Sequence, residues 1–220
     1  DVIVGVSSGA VVAALHAGGM RAAALEAAAL GIEDSDLLDF TLFGPGFIEG
    51  ERLQDYINQM LSNRAIEALQ KPFAVVAAER ITSRMTIFTR GNTGLAVRAS
   101  ASVPKMFWPV MIHGTEYVDG GIASRVPASV ARDMGADIVI AVDVSWRGSI
   151  DAQKADIVIR PDTVRTRITD FSQKIANLAA GENAARDVVP RVRELLVRVA
   201  AEKSHMKTKT VAAIPRRNVN

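Results

Sequence analysis

The tightest constraint on this chain lies in its first seventeen residues. "VIVGVSSGAVVAALHA" runs β-branched residues straight into Gly5-Val6-Ser7-Ser8-Gly9, and small helix-forming residues follow. The apolar run reads as a short buried strand and the segment after Ser7 as a helix. A serine at so sharp a strand-to-helix turn must adopt a strained backbone conformation. The residues two before and two after it crowd one another unless they are glycine, and Gly5 and Gly9 meet that need. The Ser7 hydroxyl is then exposed above the sheet edge. The Ser8 backbone N–H opens a helix N-terminus, where partial positive charge favours an anion. A plainer reading is a helix N-cap, for which serine is a preferred residue. A phosphate-binding loop fits less well: the Gly-Lys-Ser/Thr ending is missing, and the glycines do not follow Gly-x-Gly-x-x-Gly.

Further along, "PFAVVAAE", "RMTIFTR", "ADIVIAVDVS" and "ADIVIRP" read as strands, the first two around a turn and the last two as buried ones. "WPVMIHGTEYVDGG" reads as a hairpin turning at His113-Gly114-Thr115-Glu116. Helices are predicted from residue 8 to about 30, interrupted at Gly18-Gly19, and in "ERLQDYINQMLSN", where Leu53, Ile57, Met60 and Leu61 keep helical spacing. Others are predicted in "GLAVRASAS", in "SRVPASVARDMG" closed by Gly135, and from about Val164 to Ala200. Strands alternate with helices, and the strands are apolar throughout. That pattern predicts an α/β fold in three layers, with a mainly parallel central sheet covered by helices on both faces. No internal repeat or linker divides the chain, so residues 1–220 are read as one domain. Residues 164–220 form its helical C-terminal region and basic tail.

Composition narrows the function classes. The 220 residues are 49% hydrophobic and contain no cysteine, which excludes disulfides and thiolate metal sites and fits the cytoplasm. Three histidines are too few for a histidine-rich metal centre. No apolar run approaches the ~18 residues of a membrane span. The net charge is +2, and no helix-turn-helix, zinc-finger or aromatic RNA-binding signature accompanies it, so a nucleic-acid partner is not expected. The basic stretch "RELLVRVAAEKSHMKTKTVAAIPRRNVN" reads as a solvated helix end, or as a weak attraction to anionic lipid surfaces.

A serine nucleophile needs a group to take its proton. His16 lies in the helix after Ser7, His113 in a hairpin turn and His205 in the basic tail, and none is well placed as a base. Among the carboxylates, "YVDGG" puts Asp119 at a strand end, followed by Gly120 and Gly121, which allow close approach of another segment. The plain reading of Asp-Gly is a turn. Asp143, at the end of "IAVDVS", is the runner-up acid.

With these residues in hand, the chain resembles the bacterial patatin-like phospholipases. "GVSSGA" is similar to the family's Gly-x-Ser-x-Gly elbow, and "VDGG" to its Asp-Gly-Gly/Ala motif. The block between them, "RASASVP" above all, resembles the family's middle segment, and "GADIVIAVDVS" continues the likeness over about residues 1–150. The resemblance implies a serine esterase with Ser7 as nucleophile, Asp119 as general base and no histidine. It acts on ester-linked acyl lipids through an acyl-enzyme and needs no cofactor or metal. It also implies a bacterial, cytoplasmic protein in peripheral contact with a membrane surface; the oligomeric state stays open. Two alternatives stand beside it: a catalytically silent patatin-like module that binds lipid or regulates a partner, and a Ser-His-Asp esterase using His113 or His205, with Asp143 as acid.

One family feature is not found. Patatin-like proteins carry a glycine-rich loop before the elbow, whose N–H groups form the oxyanion hole. Neither Gly18-Gly19 nor "GPG" at 44–46 matches it. The expectation is therefore a domain lacking its N-terminal strand, oxyanion loop and helix, and weak or inactive on its own. The apolar loop "LLDFTLFGPGFIEG", with Phe40, Phe43 and Phe47, either flanks an acyl pocket or buries its rings in the core. Met106, Phe107 and Trp108 pose the same choice.

Overall fold

The computed structural model describes residues 1–41, 44–145, 147–164 and 172–212, with residues 34 and 205–212 described by backbone alone. Phe43 and the tail beyond 212 lie outside the described residues. The elements in chain order are β1 (Ile3–Val6), α1 (Ser8–Ala17), α2 (Ala22–Gly31), α3 (Asp34–Leu37), α4 (Glu51–Met60), β2 (Phe73–Glu79), β3 (Met85–Phe88), α5 (Thr93–Ala101), β4 (Val110–Ile112), β5 (Thr115–Asp119), α6 (Ala128–Asp133), β6 (Ile140–Val142), β7 (Ile157–Ile159) and α7 (Lys174–Ala212).

β2 is the spine of the fold, and six of its seven residues are buried. Side chains alternate across a strand, so Phe73 and Val75 pack into a core built with α1, α4 and α5. Ala74 and Val76 face the opposite way, against Val130 of α6. Helices thus cover both faces, and the fold is a three-layer α/β arrangement. The helices form for local reasons. In α4, Leu53 and Ile57 lie one turn apart on the buried face, with Leu61 just beyond the helix end. The Asp39 carboxylate accepts from the N–H groups of Gly50, Glu51 and Arg52, at 2.6, 2.7 and 3.2 Å, and so caps that helix. Asn92 caps α5 by accepting from the Leu95 N–H at 2.7 Å.

The sheet is mixed rather than mainly parallel. β1 runs parallel to β2, whereas β3 and β5 run antiparallel to β2 and β4 antiparallel to β5. β6 and β7 form a separate parallel pair. β6 is not a buried strand: Ile140 and Val142 are exposed, and Val144 follows them into solvent. The β4–β5 hairpin is tighter than predicted. Ile112 pairs with Thr115, so the turn is His113-Gly114 alone, both with positive φ, the arrangement whose twist suits a two-residue hairpin. α7 begins later than predicted and runs past Ala200 to Ala212. No helix among the described residues is long and apolar enough to cross a membrane.

Candidate active site

The centre of interest lies where two strands meet head-on. Along one edge of β2, Val75–Ala78 pair with β3. The other edge is shared: Val76 pairs with Val6, the last residue of β1, and the next residue, Ala77, pairs with Asp119, the last residue of β5. β1 runs parallel to β2 and β5 antiparallel, so their C-terminal ends collide. Neither chain can continue straight, and both must turn out of the sheet. Ser7 and Asp119 are the residues at those two turns.

Ser7 has φ 52° and ψ −130°, a strained conformation for a residue with a side chain. Its Oγ donates a 2.5 Å hydrogen bond to Asp119 Oδ2. Gly5 is required here: a Cβ on it would lie 2.5 Å from Ala10 Cα and 2.9 Å from Ala13 Cβ, so the turn from strand to helix closes only over glycine. Gly9 differs from the expectation. A Cβ on it would meet nothing within 4 Å, because it sits on the outer side of the first turn of α1. The Ser8 and Gly9 N–H groups have no acceptor among the described residues, as the first N–H groups of a helix have none within it. They form a positively polarised helix terminus beside Ser7.

Asp119 is buried, 7% exposed, and takes its second hydrogen bond on Oδ1 from the Gly121 N–H at 2.7 Å. Burial pushes its pKa up, above the ordinary 3.8, and outweighs the downward pull of the hydrogen bonds from Ser7 and Gly121. A Cβ on Gly120 would lie 2.1 Å from the Val76 carbonyl oxygen and 2.7 Å from Val6 Cγ2. One on Gly121 would lie 2.9 Å from Asp119 Oδ1. Gly120 is therefore required by its close approach to the β2 backbone, whereas the tight contact at Gly121 is with the end of the Asp119 side chain itself. A hydroxyl donating to a desolvated carboxylate can pass its proton along that bond as its oxygen attacks an electrophile.

The "RASASVP" segment contributes contacts that residue-level reasoning did not find. The Ser100 hydroxyl accepts from the Ser7 N–H at 2.8 Å, and the Ser102 carbonyl accepts from the Asp119 N–H at 2.9 Å. One turn at the end of α5 thus touches both strand ends. The available signal was a pair of serines, one in the last turn of α5 and one just past its end; both are fully buried.

Neither His113 nor His16 joins the pair. His113 occupies the hairpin turn at the opposite end of β5 from Asp119. His16 Nδ1 lies 3.0 Å from the Met20 carbonyl, one turn on. The His205 side chain lies outside the described residues. Asp143 is committed elsewhere: Oδ1 accepts from the Ser145 N–H and hydroxyl, at 3.0 and 2.5 Å, and Oδ2 from the Ser149 N–H at 3.0 Å. Phe40 and Phe47 are exposed rather than in the core, at 69% and 67%. Phe107 is buried with Leu38 and Ile48, Met106 packs against them, and the Trp108 ring lies over Gly44.

Fold and site together define a three-layer α/β protein with a strained serine elbow joined to an aspartate at a neighbouring strand end. The chain belongs to the patatin-like phospholipase family, whose family model matches residues 1–132. It is 30% identical over 157 residues to an uncharacterized NTE family protein of Mycobacterium tuberculosis, covering 70% of this chain and 43% of that protein. A second such protein of that species is 39% identical over 145 residues, covering 64% of this chain and 24% of its own length. Mouse patatin-like phospholipase domain-containing protein 7 is 33% identical over 117 residues, 52% of this chain and 9% of that protein. The chain thus spans less than half the length of these relatives.

Proposed function

We propose that this chain is the catalytic part of a lipid acyl hydrolase, with Ser7 as nucleophile and Asp119 as general base. The 2.5 Å hydrogen bond between them carries the reading. Ser7 Oγ attacks the carbonyl carbon of an acyl ester while its proton passes to Asp119 Oδ2. The tetrahedral intermediate collapses, and the departing alcohol takes that proton. Asp119 next accepts a proton from water, whose oxygen attacks the acyl-enzyme; the second tetrahedral intermediate collapses, Asp119 returns that proton to Ser7 Oγ, and the fatty acid leaves. The raised pKa of Asp119 brings it closer to the working range of a base near neutral pH. Ester-linked phospholipids, lysophospholipids and acylglycerols are the substrate class. The exposed rings of Phe40 and Phe47 support peripheral contact with the lipid surface that holds them.

The Ser8 N–H supplies one oxyanion donor, and Gly9 leaves the approach to it open. The other donors come, in this reading, from a glycine-rich loop on a further strand. It is supported by the open edge of the strand that carries the elbow: among the described residues β1 pairs with β2 alone. Losing one oxyanion donor costs about 10²–10³ in rate, so the 220 residues alone are expected to be weakly active.

The test is labelling with a fluorophosphonate, with the modified residue located by mass spectrometry, on the longest natural polypeptide containing this sequence and on the 220-residue chain. Labelling at Ser7 that Ser7→Ala abolishes and Asp119→Asn strongly slows supports the dyad. No labelling of the longer polypeptide points instead to a silent lipid-binding module. Full ester turnover by the 220 residues alone removes the need for a separate loop.

A further inference from the structure

The geometry points to Ser100 as a positioning residue that sets the Ser7 elbow by standing in the place of a sheet hydrogen bond. This inference rests on Ser7 being the nucleophile. The parallel register of β1 and β2 pairs Ile3 with Phe73 and Val6 with Val76, and the Ile3 N–H donates to the Pro72 carbonyl. In a parallel ladder the donors on one strand recur every second residue. From Ile3 the series runs to Gly5 and then Ser7, whose partner in an unbroken ladder is the Val76 carbonyl. That bond is not made. The Ser100 hydroxyl occupies its place, accepting from the Ser7 N–H at 2.8 Å and donating to the Val76 carbonyl at 2.6 Å.

The direction of both bonds is forced. An amide N–H can only donate and a carbonyl can only accept, so the one hydroxyl proton of Ser100 must point to Val76. Ser102, two residues on, provides a contrast. Its hydroxyl makes the ordinary back-bond to the carbonyl four residues earlier, Arg98, at 2.8 Å. Ser100 forgoes that local bond and reaches across to the sheet, with its side chain fully buried.

The consequence is mechanical. The inserted oxygen keeps the Ser7 N–H paired while holding it away from β2 by the width of a hydroxyl. Ser7 can then turn out to φ 52° at the point where β5 arrives from the other side. Without the hydroxyl, two buried polar groups either stay unpaired, which is costly, or close on each other as an ordinary rung. A closed rung draws Ser7 toward β2 and lengthens its approach to Asp119. The bond to Ser100 also uses the Ser7 N–H, so the donors left for an oxyanion begin at Ser8.

The experiment compares fluorophosphonate inactivation of Ser7 in the longest natural polypeptide and in its Ser100→Ala, Ser100→Thr and Thr93→Val variants, resolving maximal rate from half-saturating concentration. Thr93 is a fully buried residue of the same helix whose hydroxyl donates to the Arg64 carbonyl, away from Ser7. Ser100→Ala is expected to lower the maximal rate by about 10²-fold with little change in half-saturation, the scale of a misplaced nucleophile. Ser100→Thr, which keeps the hydroxyl, restores most of it. Thr93→Val lowers thermal stability and leaves the rate within about threefold, as for a hydroxyl outside the reaction. A Ser100→Ala rate within that same margin overturns the inference, as does a loss no larger than the unfolded fraction explains. If the threonine variant does not fold, Ser100→Cys, a weaker donor and acceptor of similar size, must fall between wild type and alanine. An unlabelled wild type counts against the proposed function alone. The Ser7 amide resonance then decides the inference: its shift and hydrogen exchange must change in Ser100→Ala, and an unchanged amide overturns it.

Discussion

Ser7 and Asp119 are 112 residues apart in sequence, yet a 2.5 Å hydrogen bond joins them. They meet because Val76 and Ala77, adjacent on one edge of β2, receive the ends of two strands arriving from opposite directions. The pairing is therefore a product of sheet topology, and no loop has to be ordered to make it. A pair held this way is already close before substrate arrives, which is what proton transfer from a nucleophile requires.

The acidic side of the pH–rate profile follows from the burial of Asp119. In the proposed mechanism the base must be ionised, and the pKa of Asp119 lies above the ordinary 3.8. Esterase activity is expected to fall with decreasing pH through an apparent pKa above that value. In Ser7→Ala the carboxylate loses a donor that favours its charged form, so its pKa moves higher still. Carbon-13 NMR of the Asp119 carboxyl across a pH series measures this. A titration in Ser7→Ala at or below that of wild type contradicts the assignment.

The same shift predicts a trade of stability for reactivity. A carboxyl whose folded pKa exceeds its unfolded one contributes stability below the unfolded value and loses it as pH rises through the folded pKa. At neutral pH the buried charge of Asp119 is thus a cost to the fold. Asp119→Asn keeps an acceptor for the Gly121 N–H without the charge. Its melting temperature is expected to exceed that of wild type by a few degrees at neutral pH, with the gap closing below pH 3.8. A gap that instead widens in acid counts against this.

Three of the four glycines at the site, Gly5, Gly9 and Gly120, separate by what a methyl group would strike. Gly5→Ala drives a Cβ to 2.5 Å from a helix backbone atom, and Gly120→Ala one to 2.1 Å from a carbonyl oxygen. Neither neighbour can yield, and each change is expected to cost about 3 kcal/mol or more. Gly9→Ala meets open space in a helical position, where alanine is favoured by about 0.5–1 kcal/mol. Urea denaturation of the three variants checks the order. A Gly9→Ala variant as damaged as Gly5→Ala refutes it.

How much of this could be read from residues alone differs with the range of the interaction. Gly5 and Ser7 were legible because the elbow is a local event: strand, strained turn and helix occupy consecutive positions. Asp119-Gly120-Gly121 was legible as a motif, although its partner was not deducible from spacing. Gly9 misled, because the pentapeptide pattern does not say on which side of the helix the last glycine falls. The shared edge of β2 was hidden, since apolar strands carry no mark of direction: the hairpin turn marked β4 and β5 as an antiparallel pair, but nothing marked β5 as antiparallel to β2. Nothing local distinguishes Ser100 from Ser102; their different hydrogen bonds depend on where α5 lies against β1 and β2. The exposure of Ile140 and Val142 likewise depends on what lies beside β6.

Asp143 supplies the contrasting carboxylate. Burial pushes its pKa upward, but the hydrogen bonds from Ser145 and Ser149, with a smaller pull from the Arg160 guanidinium, more than reverse this and leave it below the ordinary value. Arg160 lies 3.5 Å away and is more than half exposed, so the hydrogen bonds dominate. The linkage sign is opposite to that of Asp119. Asp143 contributes stability that is present above its unfolded pKa and lost as pH falls through its folded one. Asp143→Asn is expected to lower stability at neutral pH by about 1–3 kcal/mol, the cost of weakening a buried, charge-assisted set of bonds. The difference from wild type should shrink in acid, while labelling of Ser7 is unchanged. Denaturation curves at neutral and acidic pH, run beside the labelling assay, test both halves. If Asp143→Asn abolishes labelling while remaining folded, the proton-accepting role passes from Asp119 alone to a site that includes Asp143.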